Sequence, residues 1–330
     1  METDSSQNTF SDKVSDNISD NIFGNLKNHE ECHDEYQYLN MLTNILQNGT
    51  IEEGRNGKTH SIFGNMMRFS LKDGKIPILT TKKTAWKTCM KELLWFIRGD
   101  TNTKHLQEQN VHIWDGNTSR EFLDGVGLSY EEGIAGPIYG YQWRHFNAAY
   151  NSTTGNTLDD ESVENNNRQL GIDQLQYIID CLKDPLKRMS RRLIMTAWNP
   201  CQLSDMALPP CHIICQFNVL DGNKLSCALY QRSNDVSLGT SFNVSSYSFL
   251  THLLAKHCGL IAHEFIHFMG NCHIYEEHIE PMCELLNREF HQFPKININC
   301  IKENINDYNV NNFEIIGYKS NDVIKMKMIA

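Results

Sequence analysis

No C-x-x-C spacing occurs in this chain, and its eleven cysteines are an odd, scattered number. Both facts argue against the paired framework of a small secreted scaffold and point to free thiols in a reducing, cytoplasmic compartment. Long apolar runs are missing as well. The greasiest stretch, Phe249 to Met269, is broken by several histidines, Lys256 and Glu264, so no membrane span is expected. The opening METDSSQNTF has neither a basic nor an apolar segment, and no targeting signal is expected there. The third absence is a basic excess. The net charge is −10, concentrated in residues 1–35, with nine acids and two lysines, and in 159–164, with four acids and no base. The remainder carries 27 acids against 28 basic residues. A core that is neutral overall advertises no nucleic-acid-binding face.

What is present suits a globular protein: 40% hydrophobic and 21% charged residues over 330 positions. Residues 1–35 are rich in Ser, Asp and Asn and read as a disordered acidic tail. No repeat or linker divides 36–330, which reads as one domain, with an Asn-rich surface insertion at 147–169. Helical spacing covers Glu35 to Leu46, Lys87 to Arg98, Gly171 to Leu182 and Phe242 to His257, the last stopped by Gly259. Thr59 to Ser70, Arg192 to Trp198, Cys211 to Leu220 and Leu225 to Arg232 read as strands, with Asp221-Gly222 turning the chain between the last two. Several strands are expected to close the chain.

Three constellations carry chemistry. In Ala207-Leu-Pro-Pro-Cys-His, two prolines fix the backbone before Cys211 and a strand follows, so this thiol is positioned and reachable. The ordinary fate of a free cysteine is core burial, expected for Cys89, Cys181 and Cys258. A reactive thiol also needs positive charge nearby. Arginines supply the second set: Arg55, the pair Arg191-Arg192 before a strand, and Arg232 in Gln231-Arg-Ser-Asn-Asp after one. Their planar forks with Ser233 suit a phosphate, although any single arginine is more often a surface ion-pair partner. Polar residues inside apolar strings form the third: Glu92, Asn243, and His273 with Tyr275 two apart on one strand face. Buried, each must bond the protein or face a ligand.

One motif argues for another class. His263-Glu264-Phe-Ile-His267-Phe-Met-Gly270-Asn-Cys-His273 matches H-E-x-x-H-x-x-G-x-x-H, the zinc-protease pattern, which works on a helix. Gly259 ends the preceding helix, His263 has no cap before it, and Glu264 to Tyr275 reads as extended chain. On a strand, His263 and His267 are too far apart for one metal, so no metal is expected.

Together these segments resemble the thymidylate synthase family from about Glu35 to Ala330. The resemblance rests on ordered motifs: Arg55 with Ser61-Ile-Phe-Gly, Thr80-Thr-Lys-Lys, Glu92-Leu-Leu-Trp-Phe-Ile-Arg-Gly-Asp-Thr-Asn, Ile113-Trp-Asp, Ser119-Arg-Glu-Phe-Leu, Gly136-Pro-Ile-Tyr-Gly-Tyr-Gln-Trp-Arg, Ser190-Arg-Arg, Pro209-Pro-Cys-His, Gln231-Arg-Ser-Asn-Asp, Phe242-Asn and His273-Ile-Tyr. It implies an α+β fold: a large mixed twisted β-sheet flanked by helices, with sheets packed face to face in a homodimer. The implied activity is a methyltransferase reaction. It is the reductive methylation of dUMP to dTMP with 5,10-methylenetetrahydrofolate as co-substrate, through a Cys211 adduct at carbon 6 of the pyrimidine.

The resemblance also implies roles. Arg55, Arg191, Arg192, Arg232 and Ser233 hold the dUMP phosphate, Arg191 and Arg192 reaching over from a partner subunit. Arg232 favours the Cys211 thiolate, Asn243 reads the pyrimidine edge, and His273 and Tyr275 meet the ribose hydroxyl. Glu92, Tyr139 and His212 serve proton transfer. Lys82, Ile113, Trp114, Asp235, Gly239 and Ala330 line the folate site, with Asp235 also among the catalytic residues. The sequence departs from the family's common pattern at Thr240-Ser241, where a proline usually precedes Phe-Asn, and at Asn234 and Asn271. These departures bear on local rigidity. A pyrimidine hydroxymethylase is the nearest rival. Asn243 favours uracil over cytosine, and Trp114 and Ala330 favour hydride transfer. A binding protein that has lost activity fits poorly with an intact Cys211, Glu92 and Asn243.

Overall fold

The segments that read as extended chain come together in one six-stranded sheet. The structure, a computed structural model, describes residues 33–54, 56–151, 156–157 and 171–329. Most of the acidic tail, Arg55, Ala330 and most of the Asn-rich insertion lie outside the described residues.

Helix α1 (Tyr36–Asn48) leads into β1 (Thr50–Gly54) and β2 (Gly57–Ser70). Helices α2 (Trp86–Ile97), α3 (Tyr139–His145) and α4 (Gln174–Lys183) follow, with two shorter helices, Lys104–Gln107 and Arg120–Gly125, between the first two and a small strand pair, Tyr150–Asn151 with Asn156–Thr157, between the last two. Then come β3 (Ile194–Thr196), β4 (His212–Leu220), β5 (Lys224–Asp235), α5 (Gly239–His257) and β6 (Ile261–Tyr275). Helix α6 (Ile279–Leu286) and a small hairpin of β7 (Lys295–Ile298) and β8 (Phe313–Ile316) complete the elements used below. Only that short pair extends after β6. Three strands, β6, β7 and β8, thus follow α5, as the sequence reading expected, and the described residues after β8 form an irregular strap.

The sheet order is β1-β2-β6-β5-β4-β3. All neighbours are antiparallel except β5 and β6. A parallel pair needs a long crossover, and α5 supplies it. Side chains alternate across the sheet as period two requires. Met195, Cys215, Leu229, His267 and Met67 form one row, paired strand to strand and buried against the helices. The next row, Ile214, Tyr230, Phe268 and Met66, faces outward, and its members are between 36% and 47% exposed.

Helix α5 is buried nearly all round, which a central helix requires of its sequence. Gly259 ends it with φ +69°, the left-handed conformation glycine adopts most easily. Asp221 and Gly222 both take positive φ between β4 and β5, as the sequence reading of a turn there required. Gly140 marks the closest helix approach: a Cβ there would lie 2.4 Å from the Phe96 carbonyl oxygen. α3 therefore packs directly on α2, and this fixes where Tyr139 stands.

The last residues of the expected tail are packed. Glu35 is fully buried. Its carboxylate accepts from the N–H groups of Thr80 (2.9 Å) and Thr81 (2.9 Å) and from both threonine hydroxyls (2.6 and 2.8 Å). Asp34 accepts from the Ser70 N–H at 3.0 Å. Composition marks 33–35 as tail-like, but a buried carboxylate is tolerated where every oxygen has a donor. Glu35→Ala leaves buried Thr80 and Thr81 donors unpaired. We expect a loss of about 2–5 kcal/mol in urea unfolding, with Glu35→Gln losing less.

Candidate active site

Cys211 stands at the mouth of β4, half-buried. The ladder between β4 and β5 slips by a residue between His212 and Ile214, a bulge of the kind that re-aims side chains beside sites. Three contacts then hold the Pro-Pro-Cys backbone. Arg232 Nε donates to the Pro210 carbonyl (2.8 Å), and its Nη2 donates to the Pro209 carbonyl (2.9 Å). The Arg232 N–H donates to the Cys211 carbonyl (2.8 Å). On the far side, the Cys211 N–H donates to the Tyr139 phenol oxygen (2.8 Å). The Arg232 guanidinium lies 5.4 Å from the centre of the Trp198 ring.

These residues border a cavity of about 320 Å³. Cys211, Glu92, Tyr139, His212 and Asn243 all line it, as do Ser233, Asp235, Gly239, Ile113 and Trp114. The sequence reading therefore selected ten of its wall residues. Asp235 caps the turn into α5 by accepting from the Ser237 and Leu238 N–H groups at 2.9 and 3.2 Å. Asn243 follows Gly239 by four residues and shares its helix face.

Six predicted residues stand elsewhere. Arg232 faces the two proline carbonyls beside the cavity. Lys82 is buried with its ammonium on the Ser237 carbonyl, and burial lowers its pKa to about 8 against the opposing pull of Asp235. Arg191 and Arg192 are exposed and do not border this chain's cavity. His273 and Tyr275 lie together at the end of β6, rings 5.2 Å apart, and His273 pairs in register with Asp235. Arg55 and Ala330 lie outside the described residues.

Burial sets the protonation of the wall. Glu92 is raised to about 7 by desolvation, opposed by a hydrogen bond from Trp114 Nε1 (2.8 Å). Burial pushes Tyr139 well above the usual phenol range and lowers His212 to about 3, with His267 adding to the shift. The Cys211 thiol is raised by burial, and Arg232 and Tyr139 offset only part of that. Arg232 thus lowers the pKa of the thiol, by less than burial raises it.

The departures from the family pattern are joined to the site. Asn234 and Thr240 are both fully buried and bond each other, Asn234 Nδ2 to Thr240 Oγ1 at 2.9 Å and Thr240 Oγ1 to Asn234 Oδ1 at 3.1 Å. Two polar substitutions thus tie the end of β5 to the start of α5. Asn271 Oδ1 accepts from His273 Nδ1 at 2.8 Å.

Asn117, Leu208, Gln231, Leu238, Phe242 and Met328 also line the cavity without having been singled out. Gln231 carried a signal, an amide between Tyr230 and Arg232 on a buried strand. It accepts from His267 Nε2 (2.9 Å) and donates to the Ser233 carbonyl (2.8 Å). Met328 carried none, because a strap held by its backbone has no periodicity.

His263 to His273 lies on β6, so the zinc pattern lacks the helix that would gather its histidines. His267 is instead a core residue bonded to Gln231, and Glu264 pairs with Arg68 and accepts from Ser226. Among the described residues no group of three His, Cys, Asp or Glu side chains could hold a metal ion. Nor is any described helix long and apolar enough to cross a membrane.

Comparison with known proteins agrees with this geometry. The family model described as thymidylate synthase matches residues 36–330. The chain is 47% identical to human thymidylate synthase over 296 residues, which is 89% of this chain and 90% of that protein. It is 46% identical to bifunctional dihydrofolate reductase-thymidylate synthase 1 of Arabidopsis thaliana and 44% identical to the bifunctional enzyme of Leishmania major. It spans only 54% and 55% of those two longer proteins. A thiol presented by Pro-Pro-Cys-His at a strand mouth, a carboxyl on the same cavity wall and a match along almost the whole folded chain agree: this chain belongs to the thymidylate synthase family.

Proposed function

We propose that this cavity converts dUMP to dTMP with 5,10-methylenetetrahydrofolate, Cys211 acting as the nucleophile. The observation that carries this reading is Cys211 on a cavity wall it shares with Glu92, Tyr139 and Asn243. Folate supplies a one-carbon unit and a hydride and leaves as dihydrofolate. The chain does the rest. Cys211 Sγ bonds to carbon 6 of the pyrimidine, which makes carbon 5 nucleophilic toward the one-carbon unit. Carbon 5 then gives up its proton, and after hydride transfer the sulfur–carbon bond breaks and returns Cys211.

Each wall residue has a part. The Cys211 proton leaves as the sulfur attacks, because burial favours the thiol until the base is in place. Arg232 lowers the cost of the thiolate. Glu92, titrating near neutrality, and the Tyr139 phenol handle protons. Asn243 reads the pyrimidine edge, and His273 and Tyr275 meet the ribose. Ser233, Arg55 and Arg232 hold the phosphate. Ile113, Trp114, Leu238 and Met328 form an apolar wall that fits a flat folate ring, with Asp235, Gly239 and Ala330 completing that side and Lys82, its ammonium on the Ser237 carbonyl, bracing the turn that carries Asp235.

The reading includes a homodimer, with Arg191 and Arg192 completing the partner's phosphate site. The outward row of Ile214, Tyr230, Phe268 and Met66 supports it, since an apolar stripe across four strands favours a second sheet face. Ten free cysteines among the described residues support a reducing, cytoplasmic setting.

The direct test follows dihydrofolate absorbance with dUMP and methylenetetrahydrofolate. Wild type turns over, and Cys211→Ser loses about 10³-fold or more in kcat. Full activity in that variant would overturn the mechanism. Mixing Cys211→Ser chains with Arg191→Ala/Arg192→Ala chains is expected to restore activity that neither has alone, because the mixed dimer regains one complete site. No recovery after verified subunit exchange rejects the shared site.

Glu92 gives a third prediction, with opposite signs for activity and stability. Folded Glu92 keeps its proton up to about pH 7, whereas unfolded it ionises near 4.3. Native Glu92 therefore binds more protons across that window, and stability falls as pH rises through it. Glu92→Gln should lose about 10²- to 10⁴-fold in kcat and unfold at equal or higher urea than wild type at pH 8.

A further inference from the structure

We propose that Tyr247, which does not border the cavity, is a positioning residue that holds His212 as its Nε2–H tautomer. On the cavity side His212 then donates a hydrogen bond and does not take up a proton. The inference rests on the reading of the site given above and assigns a role to a residue outside the cavity wall.

Tyr247 lies on α5, one turn beyond Asn243, and is buried against Trp143, Phe265 and His212. Its phenol oxygen is 2.9 Å from His212 Nδ1. Among the described residues it has no other hydrogen-bond partner. Burial keeps this phenol protonated far beyond the ordinary range, so one O–H must find an acceptor in a dry environment. His212 Nδ1 is the acceptor at hand. If Nδ1 instead carried the hydrogen, two donors would face each other or the phenol hydrogen would be buried unpaired, at about 1–3 kcal/mol. Nδ1 therefore accepts, and the ring's one hydrogen sits on Nε2.

The ring cannot turn over easily to escape this assignment. It stacks on Tyr139 with centroids 4.2 Å apart and an interplanar angle of 27°, and Tyr247 meets it edge-on. Its other nitrogen makes no hydrogen bond to a described residue, although His212 borders the cavity, so Nε2 is free for the cavity's contents. Burial favours the neutral ring as well, and His267 adds to that shift. His212 is thereby a fixed neutral donor, suited to a carbonyl oxygen of the pyrimidine or to water bound there. Proton uptake passes to Glu92 and Tyr139.

The test is nitrogen NMR of protein labelled at its histidines, with the His212 signals assigned by loss in His212→Asn. In wild type, Nε2 is expected to be protonated and Nδ1 to be a bare acceptor. In Tyr247→Phe, which keeps the packing, both tautomers should be populated. The kcat for dUMP should fall about 3- to 10-fold, the value of one hydrogen bond, with KM for dUMP changed less than about twofold by the same estimate. A wild-type ring protonated at Nδ1 overturns the proposal, as does a Phe variant that keeps a single Nε2–H tautomer. If the variant does not fold, the wild-type tautomer alone decides. These spectra need no substrate, so an absence of dTMP synthesis would reject the functional reading without touching the tautomer assignment.

Discussion

The site depends on one side chain bonding to backbone. Arg232 places two of its donors on the carbonyls of Pro209 and Pro210, while its own N–H reaches the Cys211 carbonyl. Prolines offer carbonyls but no N–H groups, so this stretch can be held only by donors from elsewhere, and a planar fork meets two at once. The end of β5 is thereby tied to the approach to β4, and the bulge at His212 has a fixed starting point. Tyr139 closes the other side through the Cys211 N–H, and Tyr139 is itself set by the closeness of α3 to α2 at Gly140. The position of one sulfur thus follows from a helix contact, a guanidinium and a phenol.

A single physical cause then runs through the titrating groups. Desolvation is the largest influence on Glu92, Tyr139, Cys211 and His212, and in each it favours the neutral form. Such a wall stores little charge of its own. The Arg232 guanidinium is the positive group that works against this at Cys211, and it offsets only part of the effect of burial.

Much of this was legible in the sequence, for identifiable reasons. Strands buried on one face, such as β2 and β4, alternate and were readable; Asp221-Gly222 and Gly259 marked their turn and stop because positive φ selects such residues. Pro-Pro-Cys-His announced itself by backbone stiffness, and the half-buried Glu92 and Asn243 by being polar in apolar company. What escaped was held by partners far along the chain. Lys82 looks like a cation free for a ligand, yet its ammonium is on the Ser237 carbonyl. Glu35 looks like the end of a tail until Thr80 and Thr81 appear as its donors. Asn234 and Thr240 each read as a loss of rigidity, and only their six-residue separation around a turn lets them bond to each other. The carboxyl-terminal strap has no period to read, since backbone contacts such as Lys327 to His278 hold it.

The strand order has a consequence for how the chain is made. β2 has one neighbour beside it in sequence, β1, and its other neighbour is β6, which ends at Tyr275. During synthesis β2 therefore waits, with an apolar face and an open edge, until about two hundred further residues have emerged. The parallel β5–β6 pair waits on the same segment. β1 with β2, and β3 with β4 and β5, can pair as they emerge, but the two halves of the sheet join only through β6. That joining is a late event, and until then an exposed strand edge must be kept from pairing with another chain.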